Sequence, residues 1–405
     1  MVIPLGIRGH AELIMASFRK RTWRSPSGDP RTAWVVDYQD ASGKRRNKQF
    51  DRKKDADAWL VGASWEVRQG IHTPDSQSIT ILEAGKLWLD RRRADDLEPT
   101  TLAAYDQHIR LHIKPLCGGL KLSQVTRPMA ENLRDRLVAK VSKPMAIRVL
   151  RTLTSIVSDA QSRGRVAQNV FQGVRVQRGK RDKAPITIPT KTELRAILRA
   201  TTDHENRMAA ALVTLLMFSG LRASELRGLL WRHIDLRKKT VSVKQRADNA
   251  NVIGPPKSES SYRTIPLPDL AIGKLKEWKL SCPLTDLGLV FPSDRKGVMS
   301  HRVMTQNLLH PVQVAADVSV VTDDESAAGR YTLHDFRHAA ASLWIDQGVS
   351  AKRVQRWMGH GSIQVTFDTY GHLFDSPTRD AAVVAEVEQD LTRDDDDAAW
   401  MLQAS

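Results

Sequence analysis

A small set of basic and nucleophilic side chains in the second half of the chain could carry out chemistry on a phosphate. His334 and Arg337 stand three residues apart, which places both on one face of a helix. His360 and Tyr370 follow them, and the tyrosine hydroxyl could act as a nucleophile. Arg222 lies upstream, and two guanidinium groups can stabilise the extra charge of a pentacoordinate phosphorus transition state. The set predicts a phosphate-binding site with its own nucleophile.

Each member of this set also has a simpler interpretation. Arg222 could pair with Glu225 on a helix surface, and Tyr370 could be a core aromatic residue. A phenol, with an ordinary pKa of about 10, needs neighbouring cations or a histidine before it can attack. Lys257 precedes a predicted strand that begins at Tyr262 and could protonate a leaving sugar oxygen. A loop lysine is, however, more often only a surface residue.

The composition favours a nucleic-acid partner. The 405 residues carry a formal net charge of +16 and give a pI of about 10, which suits a polyanion. Cys117 and Cys282 are far apart, so the sequence predicts neither a disulfide framework nor a cysteine zinc site. No signal peptide is recognisable, and the longest apolar stretch, 208–218, is too short to span a membrane. We therefore expect a cytoplasmic protein of two or three domains that has no membrane partner and binds no metal.

Residues 1–72 are expected to form a small β-sheet with one helix. Residues 33–38 alternate as a strand does, a turn follows, and the pattern over 54–69 predicts a helix. Met15 offers an alternative start, which makes residues 1–14 a candidate extension. The basic strand after the turn could enter a DNA groove or be only a solvated hairpin. Its candidate DNA contacts are Lys44, Arg45, Arg46 and Lys48.

A polar linker over 73–79 leads into a domain that is expected to be all-α, over residues 80–175. Its predicted helices lie near 80–93, 100–113, 127–140 and 144–163. Basic residues cluster along these helices and in the helix-breaking connection that follows residue 175. They could clamp DNA or be only a solvated surface. The candidate DNA contacts are Arg91, Arg92, Arg93, Lys180 and Arg181.

A third domain of mixed α+β type is expected over 187–390. It contains an apolar helix that should stop at Gly220, and apolar spacing over 381–391 predicts an amphipathic helix near its end. The acidic end of the chain, 391–405, is expected to be a solvated tail. Other predicted helices and strands lie at 208–219, 223–231, 240–243 and 262–267.

Three sequence boxes in this third domain resemble those of the tyrosine recombinases, the phage-integrase family. The first box is FSGLRASEL over 218–226, and the second is LHDFRHAAAS over 333–342. The third consists of MGHGS over 358–362 and TYGH over 369–372. The resemblance is close over 187–375, looser over the helical domain, and rests on pattern for the basic sheet. It implies an arm-type DNA-binding domain, a core-binding domain and a catalytic domain, in that order.

The resemblance also implies a role for each matching residue. Tyr370 would be the nucleophile that forms a 3′-phosphotyrosine, and Lys257 would be the general acid for the departing 5′ oxygen. Because the covalent link keeps the energy of the broken phosphodiester, religation would need no ATP, metal or other cofactor. The remaining site residues would be Arg222 and Arg337 on the scissile phosphate, His360 on a phosphoryl oxygen, His334 in proton transfer and Glu225 as a support.

The implied function is that of a site-specific recombinase that integrates, and could excise, a mobile element or prophage. Its partners would be double-stranded DNA at core and arm sites, further copies of the chain in a tetramer, and DNA-bending or directionality proteins. The C-terminal helix could dock on a neighbouring subunit or pack on its own domain. Two other classes of DNA-binding protein share part of this pattern. A type IB topoisomerase would share the cleavage chemistry, but the separate arm-like domain argues against it. The complete catalytic set argues against a non-catalytic DNA-binding protein.

Overall fold

A computed structural model describes residues 17–39, 44–68, 74–75, 77–95, 97–177, 187–323, 325–374 and 377–392. The chain divides into two compact units, residues 1–184 and 185–405. The first contains both the predicted sheet domain and the predicted helical domain, and the second contains the predicted catalytic domain. The candidate extension at the N-terminus and residues 393–405 of the predicted acidic tail lie outside the described residues.

The first unit begins with a three-stranded antiparallel sheet and one helix. Its elements are β1 (Ser17–Arg24), β2 (Pro30–Gln39), β3 (Arg45–Phe50) and α1 (Lys53–Arg68). β2 is the central strand and pairs with both neighbours. Trp59 of α1 packs on the sheet, with its ring centroid 5.0 Å from that of Tyr38 and 5.7 Å from that of Phe50. The predicted small sheet with one helix is present.

Helices make up the rest of the first unit. They are α2 (Ile81–Ala94), α3 (Pro99–Gln107), α4 (Lys114–Cys117), α5 (Arg127–Lys140) and α6 (Lys143–Ser162). The helix predicted at 100–113 begins one residue earlier, at Pro99. Proline suits the first position of a helix, because the backbone N–H that it lacks would have no partner there. The helix continues as a π-helical segment over His108–Ile113. Ile81, Leu153 and Ile156 are fully buried in the shared core of these helices.

The second unit combines helices with short strands. Its helices are α7 (Lys191–Ala200), α8 (Arg207–Ser219), α9 (Ala223–Arg227), α10 (Asp269–Ser281), α11 (His301–Val303), α12 (His310–Ala315), α13 (Leu333–Asp346), α14 (Ala351–Met358), α15 (Ile363–Tyr370) and α16 (Pro377–Thr392). Its strands are β4 (Ile234–Asp235), β5 (Thr240–Val243), β6 (Arg246–Ala247), β7 (Ile253–Gly254), β8 (Arg263–Pro266), β9 (Ser319–Val321) and β10 (Ala327–Gly329). α8 is almost wholly apolar and lies buried against α10 and α13, at the centre of the core. In the described part of the chain, no helix is long and apolar enough to cross a membrane.

The helix predicted over 223–231 is shorter in the structure. α9 ends at Arg227, and Gly228 follows it in close contact with β6. A Cβ atom at Gly228 would come within 2.7 Å of the backbone nitrogen of Ala247. The close approach of the two backbones therefore turns the chain away from the helix axis, which no propensity of the local residues could reveal. The second strand of the prediction, 262–267, is present as β8.

Candidate active site

Arg222 is positioned at the N-terminus of α9 by the way α8 ends. α8 stops at Gly220, whose φ of 56° lies in the left-handed region that glycine adopts freely. The backbone N–H of Arg222 then donates to Oε2 of Glu225 at 2.8 Å, and its Nη1 donates to Oε1 at 2.8 Å. The pairing that the sequence left open is present, but Glu225 is only 4% exposed. The pair therefore joins a buried carboxylate to a guanidinium group that is 36% exposed, and it is not an ion pair of a fully solvated helix surface.

Arg263, a residue that the sequence analysis missed, completes this network. Its Nη2 and Nη1 donate to the two carboxylate oxygens of Glu225 at 2.7 and 2.9 Å, and its Nε donates to the carbonyl of Trp357 at 2.6 Å. The side chain is 1% exposed. A signal existed in the sequence: strand alternation puts Arg263 on the same face as the buried Ile265 and Leu267. An arginine on the buried face of a strand requires a buried partner.

The arginines keep Glu225 ionised and leave the cluster with an excess of positive charge. Burial raises the pKa of Glu225, but hydrogen bonds and charge from Arg263, with the charge of Arg222, outweigh it and lower the pKa to about 2. Arg337 adds a third guanidinium group close to this single carboxylate. A buried region with more cations than anions is suited to bind a further anion such as a phosphate.

Arg337 joins the first and third boxes. It is 3% exposed on α13, and its Nη1 donates to the carbonyl of Gly220 at 2.6 Å. Its Nη2 donates to the carbonyl of Met358, next to Gly359, whose own carbonyl accepts from Nη2 of Arg222 at 2.8 Å. Burial and the charge of Arg222 lower the pKa of Arg337 to about 9. The two predicted phosphate-binding arginines thus converge on one turn.

Tyr370 is buried beside this turn, and its hydroxyl contacts a histidine that was not predicted as a site residue. Tyr370 is 1% exposed, and its oxygen lies 2.6 Å from Nδ1 of His338. Burial raises the pKa of the phenol to about 12 despite the charge of Arg337. Burial and the neighbouring His334 lower the pKa of His338 to about 4. His338 stands four residues after His334 on α13, and this helical spacing could have indicated it.

The two predicted histidines lie at the edges of the same cluster. His334 is exposed, and its ring packs edge-on against that of His338, with 4.5 Å between centroids. Partial loss of solvent and the charge of Arg337 lower its pKa. His360 is half-buried, and its Nδ1 lies 3.0 Å from the hydroxyl of Thr366. Burial, followed by the charges of nearby arginines, lowers the pKa of His360 to about 4.

The structure does not draw Lys257 into this cluster. The residue is exposed, on the loop that joins β7 to β8. Its neighbour on that loop, Ser258, bonds the hydroxyls of Ser260 and Ser261 at 3.0 Å each. The predicted position before the strand is correct, and a role as general acid stays a prediction.

Most of the predicted DNA contacts in the described residues have acidic or aromatic neighbours. Lys44 and Arg45 are exposed, whereas Lys48 lies 2.9 Å from the carboxylate of Asp75 and over the ring of Trp59. The arginine cluster on α2 is also paired. Its ion pairs join Arg91 to Asp159, Arg92 to Asp95 at 3.1 Å and Arg93 to Asp90 at 2.6 Å. Of the other predicted contacts, Arg46 is half-buried, and Lys180 and Arg181 lie outside the described residues. A DNA contact at α2 would have to compete with these carboxylates.

The catalytic unit matches a known family model. Residues 188–376, which include every predicted catalytic residue, match the model of the phage integrase family. These residues form a domain of the phage integrase family. The sequence-based prediction of a tyrosine recombinase that acts on DNA is thereby confirmed at the level of family and enzyme class. Among the described residues of the chain, no three His, Cys, Asp or Glu side chains are grouped so that they could hold a metal ion.

Relatives in sequence support this assignment, and solved structures share the fold. The chain is 26% identical over 358 residues to a tyrosine recombinase XerC-like protein of Caldanaerobacter subterraneus, covering 82% of this chain and 90% of the relative. It is 26% identical to the prophage integrase IntR of Escherichia coli, over 60% of each chain. Its fold resembles a Tn1549 transposon integrase in complex with transposon right end DNA, with a TM-score of 0.62 at 20% identity, covering 77% and 99% of the chains. A lambda integrase tetramer bound to a Holliday junction gives a TM-score of 0.54 at 18% identity, covering 84% and 95%.

Proposed function

We propose that this integrase cuts and rejoins double-stranded DNA at specific sites through a 3′-phosphotyrosine at Tyr370, and so integrates and excises a mobile element. The observation that carries the proposal is the convergence of Arg222 and Arg337 on the turn at 358–359, beside the hydroxyl of Tyr370. The names of the relatives, among them a prophage integrase, support a mobile element as the context and a bacterial cytoplasm as the location.

The geometry supports an in-line attack on a phosphodiester. The oxygen of Tyr370 would bond to phosphorus while the bond to the 5′ oxygen breaks. Arg222 and Arg337 would bind the non-bridging oxygens, and the negative charge that develops there strengthens these contacts in the transition state. His360 would add a hydrogen bond to the same oxygens, and Lys257 would move in from its loop to give the departing 5′ oxygen a proton. Reversal of these steps by a 5′ hydroxyl from a second strand rejoins the DNA.

Strand exchange requires several copies of the enzyme, and α16 offers a contact between them. The apolar side chains of this helix are exposed, with Val384 at 69%, Val387 at 52% and Leu391 at 78%. Packing of α16 on its own domain is the alternative, but it would have to cover side chains that are exposed here. We therefore retain the docking of α16 on a neighbouring subunit in a DNA-bound tetramer. Accessory DNA-bending or directionality proteins remain part of the proposal.

A covalent-trapping experiment tests the chemistry. Purified enzyme is mixed with a pool of duplexes that carry a randomised core and a nick, so that the short cleaved fragment diffuses away and religation fails. Adducts that survive detergent are recovered and sequenced, which also yields a defined duplex. Wild type should give an adduct whose linked peptide contains Tyr370. Supercoiled plasmids bearing two copies of the selected sequence should then recombine, and not merely relax as a topoisomerase substrate would.

Tyr370→Phe is the matched control, because it removes only the hydroxyl oxygen. It should bind the selected duplex with the affinity of wild type and form no adduct. Absence of an adduct with wild type, or an adduct formed by Tyr370→Phe, would refute the proposed nucleophile. Unchanged assembly on DNA after deletion of residues 376–405 would refute the role of α16 alone.

A further inference from the structure

The hydroxyl of Tyr370 has its hydrogen-bond partner on α13, one helical turn beyond His334, the histidine expected to take part in proton transfer. The expected proton-transfer histidine, His334, is exposed and packs against the ring of His338. The atom that lies 2.6 Å from the phenol oxygen is Nδ1 of His338. This distance is typical of a short O–H to N hydrogen bond, and a candidate base must stand at such a distance from the proton that it takes.

The direction of this hydrogen bond follows from the two ionisation states. Tyr370 is protonated, because burial raises the pKa of its phenol to about 12. His338 is neutral, because burial and the adjacent His334 lower its pKa to about 4. Neutral imidazole offers one nitrogen as an acceptor, and the buried phenol O–H needs an acceptor. Tyr370 therefore donates to Nδ1, and the ring proton of His338 is on Nε2.

We propose that His338, and not His334, is the catalytic base that takes the Tyr370 proton during DNA cleavage. The inference rests on the proposed function, since it assumes that Tyr370 is the nucleophile. As the bond from the phenol oxygen to phosphorus forms, the phenol proton moves to Nδ1 of His338, and the bond from phosphorus to the 5′ oxygen breaks. The 5′ oxygen takes its proton from another group. On rejoining, Nδ1 of His338 returns its proton to the departing phenol oxygen.

The surroundings of His338 make the transfer dependent on bound DNA. Arg337, His334 and the carboxylate of Asp335 face the ring from its own helix, and Tyr370 and His360 face it from α15 and the turn before it. Without DNA the net effect of this environment disfavours an imidazolium. A phosphodiester bound by the arginines brings a negative charge beside the ring, which favours the protonated form. Tyr370 therefore keeps its proton until a phosphate occupies the site.

Substitution of His338 by asparagine separates proton acceptance from mere positioning. The amide oxygen of asparagine can accept a hydrogen bond near the position of Nδ1 but cannot take a proton at neutral pH. Single-turnover adduct formation is measured on the suicide duplex that wild type selects. We expect His338→Asn to cleave about 100-fold or more slowly than wild type, within the range that general bases contribute, while it binds the duplex equally well. His338→Ala should regain part of its loss in free imidazole.

Two comparisons make the measurement specific. His372→Asn alters an exposed histidine two residues beyond Tyr370 and should cleave as wild type does. A duplex with sulfur in place of the 5′ bridging oxygen has a leaving group that needs no proton. This duplex should restore cleavage by Lys257→Ala but leave most of the deficit of His338→Asn. Equal restoration of both variants would place His338 on the leaving-group side and overturn the proposal.

The possible failures are distinguishable. If wild type gives the Tyr370 adduct and His338→Asn cleaves within about threefold of it, His338 only positions the phenol and the inference is wrong. If wild type gives no Tyr370 adduct, the proposed function itself is wrong. Nitrogen NMR of wild type, with labelled histidine, tests the same point without any variant. A signal that shows the proton of neutral His338 on Nδ1 would contradict the proposal, because that atom could not then accept another.

Discussion

Arg263→Met should destabilise the catalytic unit by leaving the buried carboxylate of Glu225 without its main partner. The arginine donates two hydrogen bonds to Glu225 and one to the carbonyl of Trp357, and both charged side chains are at most 4% exposed. Removal of one member of a buried ion pair costs about 3–5 kcal/mol. Glu225 keeps two hydrogen bonds from Arg222, so the lower end of that range applies.

The pKa of Glu225 gives a second measure of the stability that its buried ion pair with Arg263 contributes. Its depression from 4.5 to about 2 corresponds to about 3 kcal/mol of preference for the ionised form at neutral pH. For a unit that spans residues 185–405, a loss of about 3 kcal/mol should lower the melting temperature by about 6–12 °C. Thermal unfolding followed by circular dichroism measures this shift in melting temperature for Arg263→Met, for Glu225→Gln and for the variant that carries both substitutions. The double variant should lose less than the sum of the two single variants, since no unpaired charge then remains.

An exposed ion pair of the same unit provides the control. Lys191 lies 2.6 Å from the carboxylate of Asp346, but their side chains are 53% and 45% exposed. Lys191→Met should therefore cost less than about 1 kcal/mol. Should Arg263→Met cost no more than Lys191→Met, or should the two single substitutions at Arg263 and Glu225 add, the network would not carry the stability that its burial implies.

Three further predictions follow from the same region. Because the pKa of Glu225 is depressed, its stabilising contribution is fully present above pH 4.5 and is lost as the pH falls towards 2. The free energy of unfolding, measured as a function of pH, should show this loss in wild type and not in Glu225→Gln. In Arg337→Lys, a single ammonium group cannot reach the carbonyls of both Gly220 and Met358. Adduct formation should therefore slow by about 100-fold to 1000-fold while duplex binding is retained. The control variant Arg199→Lys changes an exposed arginine and should cleave normally. Gly220→Ala should lower the free energy of unfolding, measured in urea, by about 1–2 kcal/mol, because the φ of Gly220 is positive and the added Cβ would lie 3.2 Å from Trp344. The control Gly273→Ala adds a methyl group in open space on α10 and should stabilise the protein slightly.

Sequence patterns anticipated most of the helices and the family, because both depend on local or motif information. α5 was predicted with its observed bounds, and the stop of α8 at a glycine was predicted from the residue type. The pattern failed where distant backbone decides the outcome, as at Gly228 against β6. It also gave no sign of the ion pair of Arg91, because Asp159 lies 68 residues away along the chain. Such a partner is visible only after folding.

The sequence by itself determined the residue types of the site, since the three boxes carry Arg222, Arg337, His360 and Tyr370 in the order and spacing of the phage integrase family. Only the tertiary structure decided which atoms meet. A helix presents two histidines on one face, and the packing of α15 against α14, beside α13, sets which of them the tyrosine reaches. In the same way, the strand that carries Arg263 meets Glu225 only across 38 residues of chain. Burial then shifts the pKa of each group, because the cost of a charge depends on the surroundings that folding creates.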